Sequence, residues 1–416
     1  MISITNYKFK DNVLSWNINN IPISITFLIP VDKEKCAPIL RLYPLLLAGC
    51  KAASELEGVD VSLSNNEQQL INDYIQLQHV YNSYLTETDV KINRVIKPFN
   101  TYFSKNLNNA IVTWSGGKDS TLTYNLLKAS NTFKSITPCT TVWNNPSFKY
   151  SMKFMNKQDV KFNSVAFVDF NGKLKQLFEP TVKTTKKVHS DGTEYNFSFE
   201  FYHSYYGIVP MLNNLIASIH FNSDYVFMGD EADANQIYNY KGVPYQDDIG
   251  QSYVMKQIIN RYLEANVMKV RLASVLYPLR AAAEIKLLNK IAPDAKWSSC
   301  MTMKDTYCNK CTKCFLTYIY YKALDLDVAK IGLNEATLTE NFDVSKTHSH
   351  HFPEDSVLKW FVTRGLNYDV SSEVLNSLNE YLECEPTSDD PTNLIKEQFE
   401  TIPITIRDKI VSAYNN

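Results

Sequence analysis

The sequence has no surplus of basic charge, no long apolar run and few cysteines. Its 42 basic residues face 44 acidic ones, for a formal net charge of −2. A protein that coats nucleic acid needs a basic footprint, so that class is not expected, while a nucleotide or a single docked RNA remains open. No stretch reaches the roughly 18 apolar residues that span a bilayer. The longest apolar segment near the start, 39–50, is interrupted by Arg41. The first residues lack a basic region followed by an apolar core, so no secretory leader is expected and a cytoplasmic location is the default. Eight cysteines in 416 residues do not make a disulfide scaffold. Four of them lie between 300 and 314 and the rest are scattered, which reads as one metal site plus ordinary thiols.

A chain of 416 residues has room for two or three domains. Residues 1–105 read as an α+β module of unknown role. Within it, 14–29 reads as two strands around an Asn19-Asn20 turn, closed by Pro30. Helical periodicity follows over about 39–56 and 66–86. From 106 the pattern changes. Strand-like runs at 109–114, 136–143, 164–168 and 224–228 alternate with helical stretches at 121–129, 211–220, 251–263 and 279–288. That alternation predicts an α/β fold with a parallel sheet covered on both faces. Residues 170–200, rich in lysine, read as an excursion from the sheet. Residues 326–416 read as a mainly helical C-terminal extension, with a surface loop near 386–391.

Glycine is scarce, with 12 residues, yet two stand together in Ser115-Gly-Gly-Lys-Asp-Ser120, between an apolar run and a helical stripe. Gly116 and Gly117 let the backbone turn tightly and approach an anion. Amides at the start of the following helix can then hold phosphate, with Ser115 and Ser120 adding hydroxyls. Asp119 is suited to a hydrated Mg²⁺, and Lys118 supplies charge or faces water. The spacing is neither that of the Walker loop nor that of the dinucleotide fingerprint. An ordinary strand-to-helix turn would need only the glycine pair.

The cysteines stand as Cys300-x7-Cys308-x2-Cys311-x2-Cys314. Ligands three apart converge at a turn, and four thiolates favour tetrahedral Zn²⁺ with no open position, a structural site. An iron–sulfur cluster is the alternative.

Ser-Gly-Gly-x-Asp-Ser resembles the PP-loop of the N-type ATP pyrophosphatases, which have an adenine nucleotide alpha hydrolase-like, Rossmann-like domain. The resemblance implies that Ser115, Gly116, Gly117, Lys118, Asp119 and Ser120 hold the pyrophosphate end of ATP, with Mg²⁺. The cysteine spacing is similar to that of one branch, the 7-cyano-7-deazaguanine synthase (QueC) family. Trp297-Ser-Ser-Cys300 looks like that family's entry to its zinc knot, Leu276-Tyr-Pro-Leu279 with Ala283-Glu284 like its Pro-Leu and Lys-Ala-Glu region, and Val226-Phe-Met-Gly229 like the strand and glycine bordering the nucleotide. The likeness spans about 108–325, within a domain placed at 106–325, and both flanks are extra. It implies adenylation of 7-carboxy-7-deazaguanine, then ammonia attack to an amide and a second activation to the nitrile. It also implies a homodimer. The family's Tyr-Gly-Gln-Arg-His segment is absent, and 143–150 reads Trp-Asn-Asn-Pro-Ser-Phe-Lys-Tyr instead. Tyr206-Gly207 stands for its Arg-Asn and Ala282 for its Lys. Such departures and extensions also resemble QueC-like proteins of bacterial anti-phage defence, in which a protein amine replaces ammonia. A tRNA-modifying PP-loop enzyme and a non-catalytic nucleotide-binding partner protein are the other classes.

Other residues carry less. Gly229-Asp-Glu-Ala-Asp233 offers three carboxylates at a strand end for ATP or substrate contact, with Gly229 assigned to the nucleotide and Asp230 to catalysis, and a solvated acidic turn as the bland reading. Asp247 and Asp248 suit a guanine-like edge. Trp143 and Tyr202, Tyr205 and Tyr206 suit either a planar ligand or the core. His348, His350 and His351 read as solvated, His220 as packed, and Lys183, Lys186 and Lys187 as a solvated loop.

Overall fold

In a computed structural model of the chain, the described residues are 1–55, 58–81, 107–144, 146–169, 171–178, 183–188, 194–199, 204–235, 238–240, 243–245, 249–300, 307–340, 352–364 and 389–415. Asp247, Asp248, Tyr202 and the His348, His350 and His351 group lie outside them.

The chain opens with an antiparallel meander, β1 (Ile2–Lys10), β2 (Val13–Ile18) and β3 (Ile21–Phe27). Asn19 and Asn20 make the expected hairpin turn at φ 47° and 67°, a left-handed conformation that asparagine tolerates. Strand β1 was not foreseen from the sequence. Its residues Asn6 to Lys10 are mostly exposed, so it shows little apolar alternation. Helix α1 (Lys33–Glu55) follows, then the short strand β4 (Val59–Asp60) and α2 (Asn65–Tyr81). Helix α1 starts earlier than periodicity indicates and carries Pro38 and Pro44 inside it. Each proline removes an amide donor, but nearly every residue from Ile39 to Ala53 is buried, and that burial holds the helix. Among the described residues it is the one helix long and apolar enough to cross a membrane. However, 83% of its apolar window is buried inside the protein, where it packs on α2 and on α6, described below. Arg41 is paired with Glu67 at 2.7 Å.

The second part alternates strand and helix, with two helices, α4 and α5, that the sequence reading lacks: β5 (Asn109–Thr113), α3 (Lys118–Ala129), β6 (Ser135–Trp143), α4 (Pro146–Met155), β7 (Asn163–Val168) and α5 (Asn171–Phe178). The Lys-rich excursion is a separate hairpin of β8 (Lys183–Val188) and β9 (Glu194–Phe199). Then come α6 (Ser204–His220), β10 (Tyr225–Met228), the single turn α7 (Ala232–Asn235), a small β11–β12 hairpin (Tyr238–Tyr240, Val243–Tyr245), α8 (Tyr253–Ala265), β13 (Arg271–Ser274), α9 (Ala281–Ile291) and α10 (Thr312–Ala323). Beyond lie α11 (Glu335–Glu340), α12 (Phe352–Thr363) and α13 (Ile404–Asn415).

One nine-stranded sheet runs β13-β10-β5-β6-β7-β3-β2-β1-β4. The five strands from β13 to β7 are parallel, and β3 adds antiparallel to β7 through Ile25↔Val168 and Phe27↔Ala166. The N-terminal module is thus hydrogen-bonded into the same sheet as the parallel strands. Both faces are covered. Ile111, Val226 and Leu272 face a core shared with α1, α2, α6 and α8. Val112, Tyr225 and Phe227 face a second core built by α3, α9, α10, α12 and α13. Strand β13 is at the edge, yet all four of its residues are buried. The Asn260 amide covers the open edge: its Nδ2 donates to Leu272 O at 3.0 Å, and its Oδ1 accepts from Leu272 N at 2.9 Å. It occupies the place of a neighbouring strand.

Strand order decides where a ligand sits. In chain order the parallel strands read third, second, first, fourth, fifth from β7 to β13. Connections leave β5 and β10 in opposite directions, which opens a crevice at their C-terminal ends, the usual ligand position in such sheets. The loops after β5 and β10 are Ser115–Gly117 and Gly229–Glu231.

Candidate functional site

The loop after β5 folds back on itself before α3 starts. Gly116 has φ +72°, and a Cβ there would lie 2.8 Å from Met155 Cγ. The Gly117 amide donates to Ser115 Oγ at 3.3 Å, and the Ser115 and Ser120 hydroxyls are 3.2 Å apart. Gly117 is the N-cap of α3 and gives it no side-chain cap, so the helix presents its amides and positive end at this loop. Two braces hold the loop. Ser298 N donates to Gly116 O at 3.1 Å, and Gln158 Nε2 spans Gly116 O at 3.4 Å and Lys296 O at 2.8 Å.

The loop after β10 closes against it. A Cβ on Gly229 would meet Asp119 Cβ at 2.9 Å and the Ser120 amide at 3.3 Å, so glycine is what allows this approach. Glu231 then enters a cluster with Asp119 and with Glu284 of α9, one carboxylate oxygen of each lying within 4.8 Å of the others. The Lys118 ammonium sits among them, 2.5 Å from Asp119 Oδ1, 2.8 Å from Glu231 Oε2 and in contact with Glu284 Oε2. Lys118 therefore does not face water.

Burial disfavours the Lys118 charge, but the three carboxylates outweigh it and hold this ammonium well above its ordinary range. Burial also raises Glu284 well above the usual carboxylate range and pushes Glu231 up to about 7, in both cases against the pull of Lys118. Asp119 moves the other way. Burial opposes its charge, while Lys118 and a hydrogen bond from Glu284 favour it more. Three carboxylates against one ammonium leave two negative charges to be met by protons or by another cation. Glu284 Oε1 is buried with no hydrogen-bond partner among the described residues. A divalent cation fits both the charge and the hard oxygen donors.

The other carboxylates of the Gly229-Asp233 run are used differently. Asp230 is buried and pairs with buried Lys256 at 2.6 Å, whose Nζ also donates to Gly250 O at 2.8 Å. Asp233 Oδ2 accepts from Ala281 N at 3.0 Å and caps α9. Trp143 lies in the first core. His220 packs edge-on against Phe221. Tyr205 and Tyr206 lie in the first turn of α6.

The four predicted cysteine ligands converge. Cys300 and Cys311 Sγ are 3.9 Å apart, Cys308 and Cys314 3.7 Å, and Cys311 and Cys314 3.5 Å. Four sulfurs around one tetrahedral Zn²⁺ stand about 3.8 Å apart, since each Zn–S bond is about 2.3 Å. Disulfides would need about 2.05 Å. The thiolates of a cubane cluster bind different irons and stand wider, so the spacing fits a single ion. Cys311 is the N-cap of α10 and Cys314 lies in its first turn, where the helix dipole favours thiolate. Hydrogen bonding with Cys311 pushes the Cys300 thiol up to about 11. The knot lies beside the glycine loop. Tyr307 and Tyr321 pack on Trp297, and the next residue, Ser298, braces Gly116.

No family model matches the chain, and no curated protein is similar to it at a significant level. What it combines is a doubly wound α/β fold, a cluster of four cysteines and a partly buried acidic triad, consistent with PP-loop-type ATP- or metal-binding enzymes. Glu231 belongs to the acidic run that the sequence offers for ATP or substrate contact, where Asp230 rather than Glu231 was singled out, and Glu284 was not among the site residues expected. Signals for both were present, in the acidic run after β10 and in Ala283-Glu284, but neither shows a function until the two segments meet.

Proposed function

We propose that the protein is an ATP-dependent ligase of the 7-cyano-7-deazaguanine synthase type, adenylating a carboxylate such as that of 7-carboxy-7-deazaguanine. The supporting observation is the meeting of the 115–120 loop with Glu231 and Glu284 at the switch point of a doubly wound sheet. In this reading the loop amides, Ser115 and Ser120 hold the β- and γ-phosphates of ATP. Asp119, Glu231 and Glu284 hold Mg²⁺, which when bound offsets charge on the phosphates. A carboxylate oxygen attacks the α-phosphorus, the bond to the β-phosphate oxygen breaks, and pyrophosphate leaves. Donors fixed in advance stabilise the charge that grows on it. Ammonia then attacks the acyl carbon, loses a proton, and AMP departs. Lys118 holds the carboxylates together before nucleotide arrives. Asp230 and Lys256 fix the loop that carries Glu231. The cysteine knot holds Zn²⁺ and supports Gly116 through Ser298.

The test is mass spectrometry of the purified protein with ATP, Mg²⁺, ammonium and 7-carboxy-7-deazaguanine. The expected products are pyrophosphate, AMP and the amide or nitrile. Asp119→Ala should lower pyrophosphate release by about 100-fold or more, with the melting temperature little changed. Release at the wild-type rate would refute the role given to Asp119. AMP formed without amide or nitrile would redirect the search to another nucleophile, such as a protein amine.

A further inference from the structure

Arg280 is the N-cap residue of α9, at the end of the loop that follows β13. Its side chain is buried, with the whole residue 5% exposed. A guanidinium carries five N–H donors in a rigid fork and stays charged. Among the described residues it makes no hydrogen bond, and Nη1 is buried without a partner. Its one charged neighbour among them is Asp233 Oδ1 at 3.7 Å, beyond hydrogen-bond range. The other oxygen of Asp233 is engaged with the amide of Ala281, so this carboxylate serves the helix cap as well. A charged fork left without acceptors bears its full desolvation penalty, which an oxyanion would relieve.

The position of Arg280 indicates which oxyanion. Arg280 and Glu284 are one turn apart on the same face of α9. Glu284 touches Lys118, the first helical residue after the glycine loop. Helices α9 and α3 pack side by side, each starting just after a strand of the same parallel sheet, so both N-termini open on its C-terminal edge. Arg280 therefore stands at the neighbouring helix start, beside the loop suited to phosphate.

We propose that Arg280 is a further phosphate-binding residue of this site, its fork taking oxygens of the β- or γ-phosphate and of the departing pyrophosphate. The inference rests on the ATP reading above. Arg280 makes and breaks no covalent bond; its guanidinium offers phosphate the positive charge that the Asp233 contact leaves unmet.

Calorimetric titration of the full chain with inorganic pyrophosphate, MgATP and AMP tests this. Arg280→Gln should weaken pyrophosphate and MgATP by about 10-fold or more and leave AMP within about 2-fold. Unchanged pyrophosphate and MgATP affinities in folded R280Q would overturn the inference. Should R280Q fail to fold, Arg280→Lys decides. It keeps the charge but not the fork, so pyrophosphate affinity falls by about 3-fold or more if Arg280 grips phosphate. It stays unchanged if Arg280 serves the Asp233 pair alone. A wild-type chain that binds neither pyrophosphate nor MgATP would remove the ATP reading and this inference together. Wild type and R280Q binding both equally would remove the inference alone.

Discussion

Gly229 is needed because of what stands opposite it. Its own φ is not in the left-handed range, but a methyl group there would collide with Asp119 Cβ and crowd the Ser120 amide. Those atoms belong to a helix start and cannot swing aside as a side-chain tip would. Gly229→Ala should therefore push the two loops apart and misplace Asp119 against Glu231. A displacement of that size costs about 100-fold in a rate that depends on positioning. The expected readout is a loss of pyrophosphate release near that size with a much smaller fall in urea stability. Wild-type turnover would show that the loops do not act together. Asp230 illustrates the limit of reading residues singly. It sits at the end of a strand like a ligand, yet its carboxylate is matched to Lys256, 26 positions later.

At the scale of elements, the cysteine knot is the clearest case of a motif that survives without its surroundings. Its spacing alone predicts convergence, because three of its ligands lie within seven residues and one helix start. Cys311→Ser should lower bound zinc from about one per chain toward zero and reduce the melting temperature, since a structural site contributes folding energy. The Ser298–Gly116 brace adds a second expectation, that nucleotide binding weakens along with metal content. Full zinc content by elemental analysis and unchanged melting would refute the structural role. Strands β5, β7 and β10 were legible from short apolar stretches, as parallel strands buried on both faces require, and β6 as a strand-like run despite Thr137, Thr140 and Thr141. Strand β13 was not, because Arg271 and Ser274 break its apolar pattern, although both are buried. Helix α4 was hidden by the Asn-Asn-Pro that precedes it, which reads as a turn while the proline in fact opens the helix.

Across the whole molecule, the two flanks complete the two cores. Trp16, Tyr43 and Leu46 belong to the core on one face of the sheet. Ile406, Ile410 and Tyr414 of α13 belong to the core on the other, with Leu122 and Leu126 of α3, the helix that begins at the glycine loop. Tyr225 of β10 meets Thr405 at 3.1 Å, which ties the last helix to the central sheet. A fragment of residues 106–325 would expose the β7 edge and both helical faces. It should be recovered insoluble or lack a cooperative unfolding transition. Ile410→Ala in the full chain should cost about 2–5 kcal/mol, measured by urea denaturation, although it lies in the extension. A soluble, cooperatively folding fragment together with a silent Ile410→Ala would show that the flanks are accessories.

The sequence by itself determined the elements whose signals are local. These are the Asn19-Asn20 hairpin, the strand, glycine turn and helix around Ser115 to Ser120, and the four cysteines that close on one point. Each depends on residues a few positions apart, so backbone sterics and ligand reach are enough. Only the tertiary structure decided that β3 adds to β7, that Glu231 and Glu284 join Asp119, and that Lys118 lies among them. Those pairings span more than a hundred residues. They arise because strand order brings two distant loops to one crevice, and because charges buried there must be met by whatever opposite charge the fold delivers.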